Sequence, residues 1–168
     1  MKIKVLAFLL LFSCLGSAAD QSPAAFQPAN GSFFAISVPN VELSSRWYQE
    51  KLGFKVVKRS QSPDGLSRAI IVRLQDAVVE IVQHHDSTAP LKLLPGMKGP
   101  HLIQGVFKVG FFVNDAEDLY ARLKKQKFEF IGGLFEDKEM RLKSFLIKDN
   151  NGNILQFFTP LSGKTKPN

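Results

Sequence analysis

The sequence predicts an α+β fold made of two tandem βαβββ modules. Three observations lead there: short runs of aromatic and β-branched residues read as strands; one amphipathic helix follows the first strand of each half through a capping Asn or Asp; and the order of elements repeats along the chain. Val38 matches Val113 and Asn40 matches Asp115 at an offset of 75, while Glu80 matches Gln156 at 76. Each half carries a sheet with one apolar face, so each needs the other to cover it.

Residues 1–19, MKIKVLAFLLLFSCLGSAA, have a basic start at Lys2 and Lys4, an apolar run, and small residues ending at Ala19. That pattern is a secretory signal peptide cleaved after Ala19, because the apolar run is short of the ~20 residues a transmembrane helix needs. Cys14, the single cysteine, lies inside it. Lipidation of that thiol is the competing reading, which would make the product an outer-membrane lipoprotein rather than a periplasmic or secreted protein. Either way the exported domain holds no thiolate metal site and no disulfide.

Residues 20–31 carry Pro23 and Pro28 and few large apolar groups, which fits a linker, and the domain is expected over 32–160 with a flexible basic tail at 161–168. The first module spans 33–84. "FFAISV" (33–38) reads as a strand, Asn40 caps a helix with apolar positions Leu43, Trp47, Tyr48 and Leu52, and Gly53 stops it. "FKVVKRS" (54–60), "RAIIVRL" (68–74) and "AVVEIVQ" (77–83) supply three strands.

The second module spans 107–159. "FKVGFFV" (107–113) is a strand, Asp115 caps a helix with Ala116, Leu119, Tyr120 and Leu123 on one face, and "FEFIGG" (128–133), "LKSFLIK" (142–148) and "NILQFFT" (153–159) complete it. The last two strands are joined by the hairpin signal Asp149-Asn150-Asn151-Gly152. Residues 84–106 form the long connection between modules, suited to a rim or lid.

Loss of Lys2 and Lys4 with the signal lowers the formal charge from +7 to +5. Much of the excess sits in "KKQK" (124–127) and the tail, with no exposed aromatics interleaved, so a nucleic-acid face is excluded and anionic small ligands are mildly favoured.

Three stretches carry a family resemblance: "SVPNVELSSRWYQEKLGF", "FFVNDAEDLYARL" and "IKDNNGNILQFF", the last close to a DPxGNxxE closing motif. Over residues 33–160 the chain resembles the vicinal oxygen chelate superfamily, which includes glyoxalase I, bleomycin-resistance proteins and extradiol dioxygenases. The resemblance implies a curved mixed sheet, a partly open barrel around a cavity. It also implies four inward side chains from the first and fourth strand of each module, which in the enzymes hold one divalent metal ion. Those positions here are Phe33, Glu80, Lys108 and Gln156. Family members often pair, so a homodimer is an expectation as well.

Alternation supports the placement. Phe34, Ile36 and Val38 form one apolar row and leave Phe33, Ala35 and Ser37 facing the other way; Val109, Phe111 and Val113 likewise leave Lys108, Gly110 and Phe112. Phe33, Phe112 and Phe158 would line an apolar pocket around Lys108, Glu80 and Gln156, suited to an anionic or amphiphilic small molecule. Lys108 and Glu80 are expected to face one another, as a structural ion pair in preference to a base or Schiff-base nucleophile.

A phenyl ring has no ligand atom and an ammonium repels a cation, so no metal and no cofactor is expected. The leading expectation is a metal-free small-molecule-binding protein, with no catalytic residue assigned. Two alternatives stand beside it. One is a metal-dependent lyase or dioxygenase using Glu80, Gln156 and a histidine borrowed from His84, His85 or His101; the other is an interaction module presenting a strand edge.

Overall fold

The computed structural model describes residues 31–94 and 96–161, without the side chains of Leu91 and Pro100. The signal, nearly all of the linker and most of the tail read from the sequence lie outside the described residues. Two four-stranded sheets are present, with strand orders β1-β4-β3-β2 and β5-β8-β7-β6. The first contains β1 (Ser32–Ser37), β2 (Lys55–Gln61), β3 (Ser67–Leu74) and β4 (Ala77–His84), with helix α1 (Val41–Leu52). In the second are β5 (Lys108–Phe112), β6 (Phe135–Asp137), β7 (Leu142–Lys148) and β8 (Ile154–Pro160), with α3 (Ala116–Lys125). Between them lie the short α2 (Pro90–Leu93) and a 3₁₀ turn at Pro100–Leu102.

In each module the first strand pairs in parallel with the last, and every other pairing is antiparallel. Parallel pairing requires a crossover, which the helix and the two middle strands of each module provide. The helix starts follow the capping residues. Asn40 accepts from the Leu43 N–H at 3.0 Å, and Asp115 accepts from the N–H groups of Glu117 and Asp118 at 2.9 and 3.0 Å. Gly53 closes α1 at φ +79°, a left-handed conformation that glycine adopts without strain.

The structure corrects two sequence expectations. Helix α1 buries Val41, Ser44, Ser45 and Tyr48, and leaves Leu43 exposed. Ser44 accepts from the β7–β8 turn across the module boundary and Ser45 accepts from Gln49 within the helix, so burial follows polar contacts that an apolar count misses. The strand expected at 128–133 is reduced to a single bridge between Phe130 and Ile147, and β6 forms later. Gly132, at φ +75°, turns the chain away before a ladder can extend.

Two devices join the modules. A run of ring contacts passes from Trp47 through Tyr48, Phe54, Phe111 and Phe157 to Phe145, with centroids 5.1 to 6.4 Å apart. Each such pair contributes about 0.5–1.5 kcal/mol beyond its burial. The other device is the β7–β8 turn, where buried Asp149 accepts from the N–H groups of Asn151 and Asn153 at 2.8 and 2.9 Å, from Asn153 Nδ2 at 2.8 Å, and from the Tyr48 hydroxyl on α1 at 3.2 Å. Asn151 Nδ2 also donates to Ser44 Oγ at 2.7 Å.

Burial, reinforced by the Asp149 charge and the hydrogen bond to it, raises the Tyr48 hydroxyl far above its ordinary pKa of 10.0. A raised folded-state value keeps its stabilisation below the unfolded pKa and loses it above. Stability is therefore expected to fall as pH rises past about 10, because the unfolded tyrosine ionises and the folded one does not. Urea titrations at stepped pH check this, with Tyr48→Phe expected to flatten the decline.

Candidate functional site

The residues singled out from the sequence fall on two sheets: Phe33 and Glu80 on β1 and β4 of the first, Lys108, Phe112, Gln156 and Phe158 on β5 and β8 of the second. Glu80 sits opposite Ala35 on β1, Gln156 opposite Gly110, and Phe158 opposite Phe112. Their partners of opposite parity, Phe34, Ile36, Val109 and Phe111, pack against the core. On both sheets this row is open at the first strand: Phe33 is 62 % and Phe112 74 % exposed. Phe112 and Phe158 rings lie 5.4 Å apart.

Toward β8 the face closes. Gln156 is only 5 % exposed and Ser144, on β7, is fully buried. Gln156 Nε2 donates to Ser144 Oγ at 2.8 Å, while Gln156 Oε1 is buried with no hydrogen-bond partner among the described residues. An unsatisfied buried acceptor costs about 1–3 kcal/mol, so this one calls for a reason. The Phe158 ring lies across Gly110, the residue opposite Gln156: a Cβ on Gly110 would stand 2.6 Å from Phe158 Cε2. Gly110→Ala is therefore expected to push that ring aside at a cost of about 1–2 kcal/mol, read as a lowered urea midpoint.

The expected ion pair is not formed. Among the described residues Lys108 has no carboxylate within 4.0 Å, and its ammonium lies 5.6 Å from the Phe107 ring centroid. Lys108 is exposed, so its ammonium keeps its hydration and needs no counter-ion. Glu80 is half-buried on β4.

The histidines proposed as borrowed ligands are engaged elsewhere. His85 lies 2.8 Å from Asp86 and thereby holds that carboxyl below its usual range, while His84 Nδ1 accepts from the Asp86 N–H. His101 packs beside Gly99 in the connection. Among the described residues no group of three or more His, Cys, Asp or Glu side chains converges as a metal site. Of the four positions where the resemblance implies ligands, only Glu80 and Gln156 offer ligand atoms, and the donor set does not fit a divalent ion with three or four protein ligands.

A separate concavity of about 860 Å³ lies on the helix side, between the C-terminal end of α1, the β3–β4 turn and α3. Phe112 is the one residue of the six that reaches it. Nothing in the alternation pattern points there, because the cleft depends on the lengths of two turns.

The paired βαβββ modules and this face define the class of protein. The profile of the Glyoxalase/Bleomycin resistance protein/Dioxygenase superfamily matches residues 32–157, and the chain belongs to that superfamily. The fold is shared with a glyoxalase family protein from Enterococcus faecalis, at TM-score 0.62 and 22 % identity over 79 % of this chain and 98 % of that one. A glyoxylase/bleomycin resistance protein/dioxygenase domain from Frankia sp. EAN1pec gives 0.65 and 18 % over 82 % and 96 %. The trypanothione-dependent glyoxalase I of Leishmania major gives 0.53 and 17 % over 76 % and 84 %. No curated protein matches the sequence. Identities this low carry the architecture and not the reaction. Among the described residues no helix is long and apolar enough to cross a membrane.

Proposed function

We propose that this is an exported, metal-free small-molecule-binding protein that holds its ligand on the open sheet face and performs no chemistry on it. The observation that carries the reading is Gln156 Oε1, buried without a hydrogen-bond partner among the described residues, on the strand pair that also carries the paired rings of Phe112 and Phe158. A buried acceptor without a donor is complementary to an N–H or O–H brought by a ligand. The phenyl rings would cover the apolar remainder of an amphiphilic molecule, and Lys108 at the strand start would favour an anionic end. Phe158 would have to turn aside to admit it.

The test uses the chain from residue 20 onward and measures melting temperature against alkyl and aryl amides, the matching carboxylates and the matching esters. Amides with an N–H raise the melting temperature, and esters of the same shape do so much less. In the double variant Gln156→Leu/Ser144→Ala the amide effect disappears, while unliganded stability stays level or rises by about 1 kcal/mol, because both polar partners leave together. Equal shifts in wild type and variant, or none in either, would refute the assignment.

A further inference from the structure

We infer that the helix-side cleft between the modules is a second ligand site, for an apolar molecule carrying one anionic group. The pseudo-repeat supplies the argument. On one side of the molecule the five-residue turn Asp149 to Asn153 reaches α1, where Asn151 bonds Ser44, and Trp47 packs on Phe128 with centroids 5.7 Å apart. The equivalent turn of the first module is only two residues, Gln75 and Asp76. At the repeat offset of 75, Ser44 corresponds to Leu119 and Trp47 to Arg122.

Protein therefore fills one side, and a cleft of about 860 Å³ remains on the other. That volume falls in the range of roughly 300 to 1,000 Å³ typical of small-molecule pockets, which favour boundaries between structural units. Leu52, Phe54, Leu119 and Phe157 give it apolar walls.

Its charges choose the ligand. Asp118 is taken by Arg122 Nε at 2.8 Å, and Asp115 by the first N–H groups of α3. The Arg122 guanidinium makes that bond through Nε, so its Nη groups remain as donors. Lys51 has no carboxylate partner among the described residues, its ammonium lying 5.9 Å from the Phe128 ring centroid. A planar donor pair and an ammonium with no carboxylate partner among the described residues, both lining one cleft, are complementary to a carboxylate or sulfonate. The Asp76 carboxylate, in the β3–β4 turn, disfavours an anion at its end and so sets the ligand's direction.

The probe is 1-anilinonaphthalene-8-sulfonate, titrated by fluorescence at low salt against the chain from residue 20 onward. One molecule per chain binds to wild type. Arg122→Trp, which places the bulk of Trp47 in the equivalent position, weakens binding at least tenfold and does not lower the melting temperature. Lys51→Glu weakens it severalfold, and Gln156→Leu/Ser144→Ala leaves it unchanged. The assignment is overturned by absence of stoichiometric binding to wild type, by binding that survives Arg122→Trp, or by loss in the Gln156 variant, which would place the probe on the sheet face. Loss in Arg122→Trp with none in Lys51→Glu would overturn the anionic ligand class. Because the cleft and the sheet face respond to different substitutions, either site can fail alone.

Discussion

Replacing Asp149 with alanine is expected to lower the unfolding free energy by about 4 kcal/mol, the largest single-residue effect in the molecule. The carboxylate accepts four hydrogen bonds, three from its own turn and one from Tyr48 across the module boundary. Hydrogen bonds to a charged acceptor are worth about 1.5–3 kcal/mol each, and water re-solvates the partly buried turn amides but not the enclosed tyrosine hydroxyl. Asp149→Asn keeps the shape with a weaker acceptor, so about half that loss is expected. Urea unfolding measures both. A loss below about 1 kcal/mol for the alanine variant would mean that the Asp149 carboxylate does not join the modules.

Three substitutions together, Phe33→His, Lys108→His and Gln156→Glu, are expected to create a zinc site with the native Glu80. Two imidazoles and two carboxylates form a donor set that zinc accepts, where the native face offers one carboxylate and one amide. The affinity gain should be at least ~10⁴-fold over wild type, about 5.5 kcal/mol, measured by competition with a chromophoric chelator. Failure of the variant to bind zinc would show that the four positions do not converge. Success would show that side-chain identity, not backbone, sets metal preference on this face.

The fold was legible because its signals are local. Asn40 and Asp115 cap the helices they were expected to cap, and alternation along β1 and β5 placed Phe34, Ile36, Val109 and Phe111 against the core. What alternation does not carry is depth. It assigned Lys108 to a face without showing that the face is open there, and an ammonium left in water needs no Glu80. It also gives no sign that Ser44 would be buried, since its partner Asn151 lies in a turn more than a hundred residues away. The difference between the two-residue and five-residue turns is visible once the halves are aligned, and it is the one sequence signal that could have pointed to the cleft.

The most direct test of a metal-free binding face is elemental analysis of the native chain, grown in metal-replete medium and dialysed against zinc, manganese, nickel and iron in turn. Less than ~0.1 equivalent of any divalent ion per chain is expected, with an unfolding curve indifferent to chelator, because Phe33 and Lys108 supply no ligand atom for a cation. One ion per chain, removed by chelator with loss of stability and lost in Glu80→Gln, would contradict that expectation.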